Sequence, residues 1–256
     1  MIDPLQALVI IAAGLAAGTI NTIVGSGSLI TFPTLLILGY PPLVANVSNT
    51  IGLVPGSISG SIGYRRELAG QRARARSLVV AAALGGITGA TLLLVLPASA
   101  FARIVPILIL VACGLVAVQP RLSAWVLERR ERLGHAPRPG GGPLLVLGVY
   151  LTGIYGGYFG AAQGVILIAL LSILVDDDLQ RLNGLKNVIA TVINAVAAII
   201  FIVVAPVAWE AAILLAIGST IGGQVGATVG RRLSPRVLRG TIIVVGMVVA
   251  VRLLLI

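Results

Sequence analysis

Two glycine-rich breaks and two polar helical stripes hold the residues of this chain whose types and spacing could do chemistry. The breaks are Gly25-Ser26-Gly27-Ser28, ahead of the apolar run Leu29 to Leu38, and Gly160 to Gly164 with Gln163, ahead of Val165 to Val175. The start of a helix carries unpaired N–H groups and the positive end of the helix dipole, so two such starts pointing inward would hold a small anion. Ser26, Ser28 and Gln163 add side-chain donors. The same glycines would serve equally as close contacts between helices. One stripe is Asn183, Asn187, Thr191 and Asn194, spaced i, i+4, i+8 and i+11 on a single helical face, with Lys186 beside it. The other is Asn46, Asn49, Thr50 and Ser57. Asparagines in an apolar helix face a bundle interior or a wet path, where they hydrogen-bond either to neighbouring helices or to a solute. Lys186 would either meet that solute or reach for the membrane surface.

No catalytic or metal-binding set is expected, and no cofactor. His135, Glu128 and Glu131 lie in a charged stretch without ligand spacing, and Asp176, Asp177 and Asp178 read as a cap for the helix that starts at Leu179. The single cysteine, Cys113, has no intrachain partner. No Asp or Glu falls in the middle of an apolar segment, so a carboxylate proton relay is not visible.

These groups must be held by membrane-spanning helices. Hydrophobic residues make up 58% of the 256, charged residues 10%, and the mean hydropathy is +1.09, all outside the range of a water-soluble domain. The net charge of +10 sits in short connections without an aromatic-interleaved soluble module, so no nucleic-acid partner is expected and the bilayer is. No Lys or Arg precedes Arg65, and the first apolar stretch is therefore expected to stay as a span, not to be cleaved as a signal peptide. Ten apolar segments follow: Leu5 to Val24, Leu29 to Leu38, Val47 to Tyr64, Leu78 to Leu96, Ile104 to Val118, then Leu144 to Phe159, Val165 to Val175, Leu185 to Val204, Ala211 to Val229 and Thr241 to Leu255. The second and seventh reach only about 16 Å as helices, half a hydrocarbon core. They are expected to be arms of broken or re-entrant pairs, with irregular tips buried in protein.

The expected fold is all-α: one polytopic domain over 1–256, built as an inverted repeat of two five-segment halves, 1–119 and 143–256, joined by a connection at 120–142. The repeat shows in Gly85-Gly86-Ile87-Thr88-Gly89-Ala90-Thr91 against Gly222-Gly223-Gln224-Val225-Gly226-Ala227-Thr228, an offset of 137 that also aligns Asn46 with Asn183, Thr50 with Asn187 and Ser57 with Asn194; a nearby offset of 135 aligns Gly25 with Gly160. Basic residues concentrate at 65–76, 120–142 and 231–240. The positive-inside rule puts these loops in the cytoplasm and both termini outside, which inverts the second copy relative to the first. The small-residue ridge Gly218, Gly222, Gly226 and Gly230 would serve internal packing or a homodimer.

The early Gly25-Ser26-Gly27-Ser28-Leu29 followed by Pro33, the Gly39-Tyr40-Pro41 turn before Ala45-Asn46 to Thr50, the basic loop after Tyr64, and Lys186-Asn187 followed by Asn194 and Phe201 together resemble the sulfite exporter TauE/SafE family, also called the 4-toluene sulfonate uptake permeases. The resemblance runs nearly end to end. It implies a bacterial inner-membrane transporter, not an enzyme, that exports sulfite or organosulfonates, with about eight spans; a channel-like pathway for another small solute is the alternative. Here the first tip carries serines and the second Ala161-Ala162-Gln163, a departure from the longer glycine run common in the family. The residues expected to touch the anion are Gly25, Ser26, Gly27, Ser28, Asn46, Asn49, Thr50, Gly160, Gln163, Gly164, Lys186, Asn187 and Asn194.

The topology has a direct test. With Cys113 replaced by serine, Ala73→Cys is expected to react with a membrane-impermeant maleimide in inside-out vesicles and to stay unlabelled in intact cells; labelling from the outside would reverse the assigned orientation.

Overall fold

A computed structural model describes residues 2–133, 142–228, 240, 243–244 and 246–251. Helices joined by short connections fill these stretches: α1 (Pro4–Ile23), α2 (Ser28–Ile37), α3 (Pro42–Gly63), α4 (Arg72–Val95), α5 (Ala98–Leu133), α6 (Gly142–Tyr158), α7 (Gln163–Leu174), α8 (Leu179–Val204) and α9 (Trp209–Thr228). Among the described residues, α1, α4, the Ala98–Arg121 part of α5, α8 and α9 are long and apolar enough to cross a membrane. Exposed Leu, Ile and Val side chains on these helices form the surface that lipid would cover. Of the tenth apolar segment, residues 246–251 are helical, with Val249 and Ala250 buried in the main core and Gly246 against Cys113. Residues 243–244 of that segment are helical too; its other positions lie outside the described residues, as do Gly230, His135, Arg138 and the basic stretch 231–239.

Several helices run past the ends of the apolar segments that foretold them. α4 starts at Arg72, not Leu78, α8 starts at Leu179, where the Asp cluster was expected to cap it, ahead of its apolar run from Leu185, and α5 continues through the charged stretch to Leu133. Charge ends a membrane span but not a helix, because Arg, Glu and Leu are all good helix formers. Asp178 caps α8, its carboxylate accepting from the Gln180 N–H at 2.8 Å and the Arg181 N–H at 3.4 Å.

α2 and α7 do not continue the helices before them. Each folds back. Gly27, at the entry to α2, lies against the Ala17 backbone of α1; along α6 and α7, Gly156 meets Gln163 and Gly148 meets Leu170, the order of an antiparallel hairpin. The reversals rest on Gly25 at φ +86° and Gly160 at φ +75°, a left-handed conformation that a side chain resists. The two are alike in hydrogen bonding as well. Val24 and Gly25 both donate to the Ile20 carbonyl, and Phe159 and Gly160 both donate to that of Tyr155.

Between the hairpins the bundle is assembled by glycines that let backbones touch. On α4, Gly85 and Gly89 face α6 while Gly86 faces α8; on α9, Gly222 and Gly226 face α1 while Gly223 faces α3. The repeated heptapeptide therefore has the same contacts in both halves, with α4 packed on helices of the second half and α9 on helices of the first. Gly218, Gly222 and Gly226 are occupied by α1, so this part of the ridge is internal. Contacts advance in step along each pair: Gly218 meets Ile11 and Leu15, Gly226 meets Thr19 and Thr22, Gly85 meets Tyr150, and Gly89 meets Ile154 and Tyr158. Thus α1 and α9 run in the same direction, as do α4 and α6.

At one end of the molecule the close of α3 and the starts of α4 and α8 are tied together. Asp177 accepts from Arg74 at 2.9 Å and from Arg181 at 2.7 Å, Gln71 donates to the Arg181 carbonyl at 3.1 Å, and the Tyr64 hydroxyl donates to Gln180 at 3.3 Å. Burial alone would raise the Asp177 carboxyl, but the two guanidinium groups and the Asp178 N–H outweigh it and hold the carboxyl below the usual carboxylate range.

Two outcomes follow from this packing. Gly89→Ala places a methyl group in the α6 backbone and is expected to cost about 1–3 kcal/mol, read as a lower melting temperature in detergent; Gly114→Ala, with nothing within 4 Å, is expected to be neutral or to stabilise by up to about 1 kcal/mol. Because the Asp177 carboxyl titrates lower in the folded protein than in the unfolded chain, its stabilisation is complete above about pH 4 and is lost as pH falls through the lowered value. Asp177→Asn should remove that acid-dependent loss in a melting series from neutral pH downward.

Candidate functional site

A helix that stops at Gly25 leaves the carbonyls of its last turn without intrahelical partners. α8 supplies them. Lys186 Nζ donates to the Asn21 carbonyl at 3.1 Å and the Thr22 carbonyl at 3.3 Å, and the side-chain amides of Asn183 and Asn187 donate to Thr22 at 3.2 and 3.3 Å. The other break is served in the same way by α3: Asn46 Nδ2 donates to the Tyr158 carbonyl at 3.1 Å. Asn46 and Asn183, aligned by the repeat, thus do the same work in opposite halves.

The tips themselves meet. Gly164 N–H donates to the Gly25 carbonyl at 3.1 Å, and a side chain on either glycine would collide with the other's backbone. Gly27 N–H donates to Asn21 Oδ1 at 2.8 Å. At least these two N–H groups at the helix starts are therefore taken by the protein's own oxygens.

Beside the tip contact lies a polar cavity lined by Asn21, Thr22, Gly25, Ser57, Gln163, Gly164, Lys186, Asn187 and Ala190. Its accessible space is about 10 Å³, room for about one water. Lys186 is 1% exposed, the only buried cation among the described residues; it does not reach for the membrane surface, and its charge rests against the negative end of α1. Gln163 Nε2 donates to Asn194 Oδ1 at 2.8 Å, while Gln163 Oε1 is buried without a hydrogen-bond partner.

Of the thirteen expected residues, Gly25, Gln163, Gly164, Lys186 and Asn187 line this cavity, and Asn194 joins it through Gln163. The others are placed elsewhere. Asn49 accepts from Thr31, Thr50 donates to the Asn46 carbonyl, and Gly160 turns the second hairpin. Ser26 is fully buried with an unpartnered Oγ, and Ser28 opens α2. Asn21 and Thr22 escaped the sequence reading because they act mainly through backbone carbonyls; the signal available was their place just ahead of a helix-ending glycine.

On the other flank of the tips, Phe32, Phe101, Tyr155, Tyr158 and Phe159 pack edge to face, with centroids 5.3 Å apart for Phe32 and Phe159 and 5.6 Å for Phe101 and Tyr158. The Tyr155 hydroxyl donates to the Ala161 carbonyl at 2.5 Å, anchoring this aromatic group to the second tip.

The chain matches the family model described as "Sulfite exporter TauE/SafE" over residues 10–253. It is 25% identical to the probable membrane transporter protein YfcA of Escherichia coli K12 over 254 residues, 99% of this chain and 91% of that protein. A probable membrane transporter protein of Haemophilus influenzae is 26% identical over 82% of this chain and 80% of its own. The probable membrane transporter protein ORF9 of a Sinorhizobium species is 25% identical over 94% of this chain and 90% of its own. No solved structure gives a significant match. Two hairpins meeting at a polar cavity, the apolar helices around them and a match over nearly the whole length lead to one conclusion: this multi-pass membrane protein belongs to the TauE/SafE family of transporters.

Proposed function

We propose that the protein is a carrier that exports small sulfur-containing anions, sulfite or organosulfonates, across the bacterial inner membrane by alternating access. The observation that carries a carrier reading over a channel-like one is the Gly164 to Gly25 contact. Two re-entrant tips bonded to each other leave no continuous path, whereas a pair that can part on one side and close on the other gives access in turn. The family description supports the substrate class, and the buried Lys186 with amide donors around it supports an anion. An anion leaving a cell that is negative inside gains about 2.3 kcal/mol per charge per 100 mV, so export needs no carboxylate relay.

The halves are read as inverted repeats. α3 ends where α4 and α8 begin, α4 runs with α6, and α1 and α9 run together beside α3; these directions support equivalent helices that point opposite ways. In that frame the Tyr64 and Asp177 contacts close the cytoplasmic side of the cavity, and the aromatic group around Phe159 closes the outer side. Exchange of the two closures is the motion expected of such repeats.

Proteoliposomes holding the purified protein are expected to show saturable, potential-sensitive sulfite flux with counterflow. Gly164→Ala, which keeps the tips from closing, should lower that flux by at least about tenfold while the protein still melts cooperatively. Flux that never saturates, or that survives Gly164→Ala unchanged, would favour a channel-like pathway; sulfite flux equal to that of empty liposomes would remove the substrate assignment.

A further inference from the structure

The cavity beside the tips contains one charge. Its other polar lining side chains are Asn21, Thr22, Ser57, Gln163 and Asn187, all neutral, and no carboxylate faces Lys186 from α1, α3, α7 or α8 among the cavity-lining residues. The nearest ion pair on α8 is Arg181 with Asp177, which are bonded to each other, Asp177 also to Arg74. The repeat adds no second cation: the offset of 137 puts Asn49 opposite Lys186, and Asn49 is bonded to Thr31.

Lys186 is held, in this closed form, only by the carbonyls of Asn21 and Thr22. An ammonium has three donors, and the two carbonyls use two. They stand where an anion's oxygens would stand, at the negative end of α1. Gln163 and Asn187 line the same space, their amide nitrogens now donating to Asn194 Oδ1 and the Thr22 carbonyl, so an entering anion would have to take over donors already in use.

We propose that this site takes a ligand with a single negative charge, bisulfite or a simple sulfonate R–SO₃⁻, and that the Lys186 ammonium is its sole counter-charge. The inference rests on the carrier reading and adds a charge rule to it. A monoanion and Lys186 together are neutral, so the loaded carrier crosses the membrane without net charge. A dianion would leave one negative charge buried with no cation to offset it, which costs more than the neutral pair. Sulfite itself then moves in its singly protonated form.

The first arm of the test is binding to the purified protein at matched ionic strength, read as the rise in melting temperature. Methanesulfonate and ethanesulfonate are expected to stabilise the wild type, with sulfate and sulfoacetate at least about tenfold weaker in apparent affinity; Lys186→Arg should keep the preference and Lys186→Met should lose it while remaining folded without ligand. The second arm is exchange in proteoliposomes with the same anion on both sides, expected to be insensitive to an imposed potential in the wild type. Sulfonates and sulfate acting alike, a Lys186→Met variant that keeps the preference, potential-sensitive exchange, or no stabilisation by any anion overturns the charge rule. If formate and nitrate stabilise and exchange while no sulfur anion does, the sulfur-anion function fails and the charge rule stands; if sulfur monoanions and dianions move equally, the function stands and the rule fails.

Discussion

A helix that stops inside a bilayer leaves carbonyls at its end, and the helix that follows leaves N–H groups at its start, with no water to take either. This chain breaks its helices twice between apolar segments, at Gly25 and Gly160, and much of its polar chemistry answers the demand of the backbone groups left there. Asn183, Lys186 and Asn187 take the carbonyls of α1; Asn46 takes the end of α6. One start is met by Asn21 and the other by the carbonyl of Gly25. Because the second solution is an atom of the opposite tip, the second hairpin is not satisfied alone. The polar stripes thus solve a backbone problem first, and under the proposed function an anion would compete for donors already in use.

The glycines meet a different demand. In lipid there is no hydrophobic gain from bringing helices together, so close packing must hold the bundle, and α4 and α9 achieve it by presenting backbone on two faces. Gly85 and Gly89 take α6 while Gly86 takes α8; Gly222 and Gly226 take α1 while Gly223 takes α3. Each of these helices belongs to one half by sequence and packs on the other half in space. The halves are consequently interlocked.

Much of this was legible in the sequence. Nine of the ten apolar segments correspond to helices α1 to α9, the short second and seventh segments are the hairpin arms, and the repeated heptapeptide marks equivalent positions. Helix ends were less legible, since hydropathy reports where lipid stops and not where hydrogen bonding stops: α5 runs on to Leu133 through residues read as a connection. At the cavity, side-chain type pointed to Gln163, Lys186 and Asn187, but not to Asn21 and Thr22, whose carbonyls act regardless of residue identity. Nor does spacing tell which donors face each other. Asn49 and Lys186 occupy aligned positions, yet one bonds Thr31 within its own half and the other crosses to α1.

That last difference is where the match between the halves stops. Two identical halves would place either two cations or none at the centre, and the proposed monoanion would be served poorly by both. A single lysine on α8, opposite an asparagine on α3, leaves one charge at the meeting point of two otherwise matched hairpins. Its resting partners are carbonyls, not a carboxylate, so the charge is held without being neutralised. A carboxylate in their place would pair with Lys186 permanently and leave an incoming anion nothing to bind, whereas carbonyl dipoles at the end of α1 hold the ammonium weakly enough to be exchanged. The break in α1 therefore has two effects at once: it makes the tip that meets the second hairpin, and it exposes the carbonyls that hold Lys186 in the closed cavity.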